Sequence, residues 1–277
     1  MKERFASQVT TVHNVVMLAG LLGVGLTGSM GSAPAPRSDT LAQRVQVGKV
    51  AEFAPGAAQL KAPQDGSPLG FRHDHYEQLR AQMRWLPVRF AGEVLKTPDP
   101  SSRILLVQSA AERAGLEEVG LSYRDVYGII NAETSWIPRL GSSKDGTPNL
   151  GIAQFEPATA KALGLTNPAD PVEAVHAAAL HMRDAAVWSA KRIAGLKLSP
   201  EQQARKLREG VSIYYNLSTK GRNMWNGKNT AKLPVETRRH IANARLGAEE
   251  AAEIDAQLQE LKGRMSGSGM MTASLQR

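Results

Sequence analysis

The stretch SYRDVYGIINAETSWIPRLGSSKDGTPNLGIAQFEPATAKALGL, residues 122–165, decides how the chain reads. Ser122 with Asp125 three residues later is a reciprocal helix-capping arrangement, and Val126, Ile129 and Ile130 follow at helical spacing as an apolar stripe. Glu133 comes four residues after Ile129 and three after Ile130, which sets one carboxylate at the edge of that stripe. Desolvation at such a position favours the protonated carboxyl that a general acid needs. The helical pattern then stops in a Pro/Gly/Ser-rich loop, and Gly151-Ile152-Ala153-Gln154 leads into a second helix start at Pro157-Ala158-Thr159-Ala160. A single glutamate at a helix end is usually an ordinary surface residue. The order and spacing of the residues downstream of Glu133 give this one more weight.

Helical periodicity extends outward from this stretch in both directions. Upstream, His73-Asp74-His75 opens a helix to about Arg84; its two histidines are two apart, off a common helical face, so they read as a polar helix start rather than a metal pair. Ser101 is the expected cap of a helix through Ile104, Leu105, Val107, Ala111 and Ala114, ending at Gly115 or Gly120. Downstream, Pro171 starts a helix through Val172, Val175, Ala179, Met182 and Trp188, on which His176 and His181 read as packing or polar-face residues. Ser199-Pro200-Glu201 starts another, to about Tyr215, with Leu207, Val211 and Tyr214 facing inward. Trp225 falls in a loop, where it either stacks on a sugar ring or packs in the core. Residues 248–261 (AEEAAEIDAQLQEL) make an amphipathic helix, a solvated extension by default, followed by a Gly/Ser/Met tail expected to be mobile.

The remaining sequence bounds location and chemistry. Lys2 and Arg4, the apolar run 15–28 and the small residues Ala33-Pro34-Ala35 make residues 1–35 a signal peptide, or an N-terminal membrane anchor because Pro follows each cut. Export to the periplasm is the expectation, with possible inner-membrane association. Residues 36–72 read as a flexible linker of Pro, Ala, Gly, Gln and Ser. A formal net charge of +8 suits polyanionic partners, the carboxylate-rich bacterial wall among them, while dispersed basic residues and the lack of a recognised module argue against nucleic acid. With no cysteine, thiol nucleophiles, Cys-ligated zinc and disulfides are excluded. No internal repeat, phosphate-binding Gly loop or metal signature occurs, so no cofactor and no metal are expected.

Taken together these motifs resemble the soluble-type lytic transglycosylases, relatives of goose-type lysozyme. In that family a catalytic glutamate is followed by Ser, then Pro, a Ser nine residues after the Glu, Gly-Leu-Met-Gln and a Pro-x-Thr-Ala helix start. Here Glu133-Thr134, Pro138, Ser142, Gly151-Ile152-Ala153-Gln154 and Pro157-Ala158-Thr159-Ala160 stand in that order, with about three extra residues between Ser142 and Gly151. Tyr214-Tyr215-Asn216-Leu217-Ser218 stands for the family's Ala-Tyr-Asn-Ala-Gly segment, and Glu236-Thr237-Arg238-Arg239-His240-Ile241 for its Glu-Thr-Arg-x-Tyr-Val pattern, with His240 replacing the aromatic.

The resemblance implies a mainly α, lysozyme-like domain (α+β superfamily) with little or no sheet over residues 101–247, after an accessory helical segment at 73–100 and before a C-terminal helix and tail at 248–277. It implies cleavage of peptidoglycan between N-acetylmuramic acid and N-acetylglucosamine with formation of 1,6-anhydromuramyl ends. Glu133 would be the catalytic acid and base, Ser142, Gly151, Gln154, Tyr215 and Asn216 would bind substrate, and Tyr215 would hydrogen-bond the carboxyl. Partners would be glycan strands and an envelope-spanning secretion, conjugation or phage-entry assembly. Ala153, Glu156, Leu217-Ser218 and the insertion depart from the pattern. A hydrolytic muramidase using Asp145 and a non-catalytic wall-binding component on the same scaffold remain as alternatives.

Overall fold

A computed structural model describes residues 73–143 and 145–273. The segments expected at 1–35 and 36–72 lie outside the described residues. The described chain is mainly helical, with eight α-helices and two small two-stranded antiparallel sheets, as expected of a lysozyme-like domain with little sheet. Among the described residues no helix is long and apolar enough to cross a membrane.

The accessory segment differs from its all-helical expectation. Helix α1 spans His73–Gln82, but strands β1 (Trp85–Phe90) and β2 (Glu93–Pro98) then form a hairpin. Ala91 and Gly92 both take positive φ, 50° and 87°, the two-residue turn whose twist matches paired strands. Helix α2 (Pro100–Ala114) is capped by Asp99, not Ser101: the Asp99 carboxylate accepts the Ser102 N–H at 2.7 Å, and Pro100 takes the first helical position. Both expected glycines act at its end, Gly115 as the left-handed cap and Gly120 after a short 3-10 turn.

Helix α3 (Tyr123–Thr134) starts at the expected capping box, with Ser122 N–H donating to the Asp125 carboxylate at 2.8 Å. Strands β3 (Gly141–Ser142) and β4 (Pro148–Asn149) frame the inserted loop, and helix α4 (Pro157–Ala162) follows the Gly-led segment. Helix α5 (Pro171–Ile193) runs through the core, its small buried face of Ala174, Ala177, Ala178 and Ala185 letting α2 and helix α6 (Pro200–Asn216) approach closely. Helix α7 (Thr219–Asn223) leads to Trp225, which is fully buried, stacks on Trp188 and donates its indole N–H to Thr230 at 3.0 Å. Trp225 is therefore a core residue and no platform for a sugar.

Helix α8 (Val235–Ala273) is one element of 39 residues that continues without a break through the solvated extension expected at 248–261 and into the first part of the expected tail, whose last residues, 274–277, lie outside the described residues. Its middle is part of the core. It packs antiparallel along α3, with Ala251 buried, Tyr127 O–H donating to Glu250 at 2.7 Å and Tyr123 O–H donating to Asp255 at 2.8 Å. Two glycines set the spacing of this pair. A Cβ on Gly128 would collide with the Ala244 carbonyl oxygen, and one on Gly247 would lie 2.8 Å from Asn131 Cβ and 3.0 Å from Gly128 Cα.

Both histidines of α5 are held by packing. His176 sits among Tyr76 and Ser109, with Nδ1 2.8 Å from the Val172 carbonyl, and burial pushes it down to about 4. His181 lies against Phe155, Tyr214 and Tyr215, and burial, with the charge of Arg222, likewise pushes it down to about 4.

Gly128→Ala is expected to destabilise the domain by roughly 1–3 kcal/mol, the cost of forcing a methyl into a packed contact, measured by denaturant unfolding. The two histidines set a pH dependence. Folded, they take up a proton only near pH 4, whereas unfolded they bind one near the ordinary value of 6.5. Between those limits the unfolded chain carries more protons, so stability is full above pH 6.5 and falls on acidification, by about 3 kcal/mol for His176 once the pH is below 4. Unfolding free energies at pH 7.5, 5.5 and 4.5 check this, and H181F is expected to make the acid loss smaller.

Candidate active site

Glu133 occupies the last turn of α3, and the chain beyond it is shaped by backbone rather than by flexible loop. Ser135 and Trp136 both adopt left-handed φ, 52° and 64°, a conformation costing about 1 kcal/mol or more for each residue with a side chain. What holds it is the indole of Trp136, fully buried against Tyr127 at a ring separation of 4.9 Å, with the Trp136 carbonyl accepting from the Thr97 hydroxyl of the hairpin. Arg139 then folds back and donates to the carbonyls of Thr134 at 3.0 Å and Glu133 at 2.9 Å. Neither carbonyl has a partner within the helix; the guanidinium takes that of Glu133, joins the Ile137 N–H (3.1 Å) on that of Thr134, and opposes the negative helix end. Burial lowers the Arg139 guanidinium while the Glu133 charge works to raise it.

Thr134 couples this helix end to the Gly-led segment, its hydroxyl donating to the Ile152 carbonyl at 2.8 Å. The carboxylate of Glu133 is itself largely covered, with 16% of its side chain exposed, and Oε1 lies 2.8 Å from Nε2 of His240, whose side chain is 5% exposed. Tyr215 stacks beside that imidazole at 6.5 Å and 17°. Its hydroxyl donates to the Ala153 carbonyl at 2.9 Å, so its proton is committed there rather than to Glu133 as the resemblance implied. Burial, with the nearby Glu133 charge second, pushes the phenol well above its ordinary value and keeps it a hydrogen-bond donor.

The other expected binding residues divide between cleft and scaffold. Ser142 is exposed at the mouth of the inserted loop, paired with Pro148. Gln154, at φ 52°, spends its amide N–H groups on the carbonyls of Arg139 (2.9 Å) and Gly151 (2.8 Å), which locks the loop instead of facing solvent. Gly151, at φ 72°, lies so close to the Pro168 carbonyl that a Cβ would collide with it. Asn216 is exposed at the end of α6 and accepts from the Thr237 hydroxyl at 2.9 Å, one helical turn before His240. The Glu236–His240 segment thus reaches both the end of α6 and the end of α3.

The two carboxylates nearest in sequence have structural employment. Asp125 closes the capping box and pairs with Arg208 at 2.7 Å. Asp145 is exposed in the inserted loop and accepts the Thr147 N–H at 3.0 Å, which holds its carboxyl below the usual carboxylate range. The insertion is pinned by a second departure: the Ser143 hydroxyl donates to Glu156 at 2.7 Å, so the added residues and the unexpected glutamate belong to one contact. A mostly apolar cavity of about 720 Å³ lies between the hairpin, residues 138–140 and the turn at 167–171, walled by Trp85, Leu95, Lys96, Arg139, Leu150 and Pro168; Glu133, Tyr215 and His240 do not line it.

Sequence reasoning missed the contacts of Arg139 and His240 with the glutamate. An arginine shortly after a helix end is a recognisable cap signal. For His240 the only signal was its place in the Glu-Thr-Arg pattern, with no distance attached.

Part of this chain is similar to a transglycosylase of Enterobacteria phage PRD1, 37% identical over 71 residues. Those residues are 26% of this chain and 26% of that protein, so the likeness spans about a quarter of the relative's length. No family model matches the chain, and no solved structure matches it. Over that quarter, a transglycosylase is what the chain is similar to.

Proposed function

We propose that this protein is a peptidoglycan lytic transglycosylase in which Glu133 is the acid and then the base. The observation that carries the reading is the placement of Glu133: a largely covered carboxylate at a helix end, held by a hydrogen bond on one oxygen, while Asp125 and Asp145 are tied into a cap and a turn. Glycosidases with two working carboxylates need both to flank the bond. A single acid suffices when the substrate supplies the nucleophile. Glu133 gives its proton to the oxygen joining N-acetylmuramic acid to N-acetylglucosamine, and the C1–O bond breaks with the electron pair leaving on that oxygen. The muramyl C6 oxygen then bonds to C1, its proton passing to the Glu133 carboxylate, which restores the acid and leaves a 1,6-anhydro ring. Closure is intramolecular and gains from proximity.

The partial likeness to a phage transglycosylase supports this reaction class and favours a wall-penetrating step of phage entry among the systems such enzymes serve. Residues 1–35 would carry the domain across or onto the inner membrane, and residues 36–72 would let it reach the wall. The net charge of +8 favours approach to a polyanionic wall. Ser142 and Asn216, both exposed at the site's edge, are the side chains available to sugar amides, while Gln154 and Gly151 act by shaping the loop.

Glu133→Gln is expected to lower release of muropeptides from purified cell wall by roughly 10²–10⁴-fold while thermal unfolding stays unchanged. Undiminished release would remove Glu133 from the chemistry. Mass spectrometry of wild-type products is expected to show anhydromuramyl ends; hydrated reducing ends alone would make the protein a hydrolase.

A further inference from the structure

The imidazole of His240 is buried against the one carboxylate that the proposed reaction uses, and its two nitrogens have unlike surroundings. Nε2 is 2.8 Å from Glu133 Oε1, whereas Nδ1 is enclosed and meets no hydrogen-bond partner among the described residues. The short contact admits two arrangements. Either the ring donates Nε2–H to the carboxyl, or a protonated carboxyl donates to Nε2. The second puts the ring's own hydrogen on Nδ1, where nothing accepts it, and an imidazolium would put one there as well. A buried N–H without an acceptor is rarer in folded proteins than a buried acceptor without a donor.

Resting on the reading of Glu133 as the acid, we propose that His240 is the positioning residue of the site: it stays neutral, donates Nε2–H to Oε1, and leaves the transferable proton on Oε2. Oε1 is then anchored and Oε2 is the oxygen presented to the sugar, first as donor to the glycosidic oxygen and later as acceptor from the C6 hydroxyl. The same bond strengthens when Glu133 becomes a carboxylate, because a charged acceptor draws the N–H more strongly. His240 therefore stabilises the charge that develops as the glycosidic bond breaks.

The ring cannot readily turn away. From α3 it faces Glu133 and from α6 it faces the stacked Tyr215, whose phenol stays protonated. One turn earlier on α8, Thr237 is bonded to Asn216, and one turn later Ala244 is pressed against Gly128. Helix α2 meets α8 farther along, near Arg103, Tyr127 and Glu250. An imidazole at this point supplies an N–H and an enclosed second nitrogen from one rigid ring.

The test combines kinetics on a soluble muropeptide tetrasaccharide with nitrogen NMR of the full-length protein labelled at histidine. H240F keeps a packed ring and removes the donor; it is expected to lower kcat by about 10²-fold, the size of losing one oriented donor, with KM within about twofold. H240Q returns an N–H and is expected to recover at least about a tenth of the wild-type kcat. Wild-type kcat in H240F, or a change confined to KM, overturns the proposal. At the working pH the His240 nitrogens are expected to show a neutral ring with hydrogen on Nε2, and the Nε2 signal to move in E133Q. A hydrogen on Nδ1, or an imidazolium, overturns it. The NMR arm needs no turnover, so a wild-type protein that releases no muropeptide would defeat the functional reading while the ring's protonation state still decides this one.

Discussion

The close crossing of α3 and α8 is the constraint on which the site depends. Gly128 and Gly247 have no side chains, so the two backbones approach until the Ala244 carbonyl fills the space a Cβ would need. At that spacing the antiparallel register brings Tyr123 to Asp255, Tyr127 to Glu250, and Glu133 to His240. A wider separation would leave the carboxylate of Glu133 in water without its imidazole partner, and the same glutamate would be an unremarkable surface group. The covered carboxylate and its imidazole contact are thus set by a helix packing distance fixed more than a turn away.

A second set of contacts keeps the end of α3 from fraying. Helix termini leave carbonyls without partners, and here Arg139 takes those of Glu133 and Thr134 while Thr134 ties the helix to Ile152. Gln154 in turn holds the Arg139 carbonyl. The left-handed turn at Ser135 and Trp136 survives because a buried indole and a bond to the hairpin hold it. Gln154 and Gly151, expected at the substrate, are the residues that give the loop its shape.

The hairpin of residues 85–98 and the continuity of α8 were hidden from periodicity for different reasons. WLPVRF contains a Pro and mixed polarity, so its alternation is faint, and the turn rests on Ala91 taking a conformation usual for Gly or Asn. In α8 the glycine at 247 looks like a helix end, yet it lies mid-helix because a close neighbour demands a small residue there. Glycine in a sequence signals a backbone need without saying whether the need is a turn or a contact.

From the sequence alone came the helical class, the cap at Ser122, the helix start at Ser199-Pro200, the buried stripes and the weight given to Glu133, because each depends on residues within a few positions of one another. Only the tertiary structure decided who meets Glu133. Its partner lies 107 residues away on another helix, Tyr215 turns its hydroxyl to Ala153, and Asp145 serves its own turn. Spacing along the chain fixes a residue's face on its helix, whereas the partner across the interface is chosen by how closely two backbones pack.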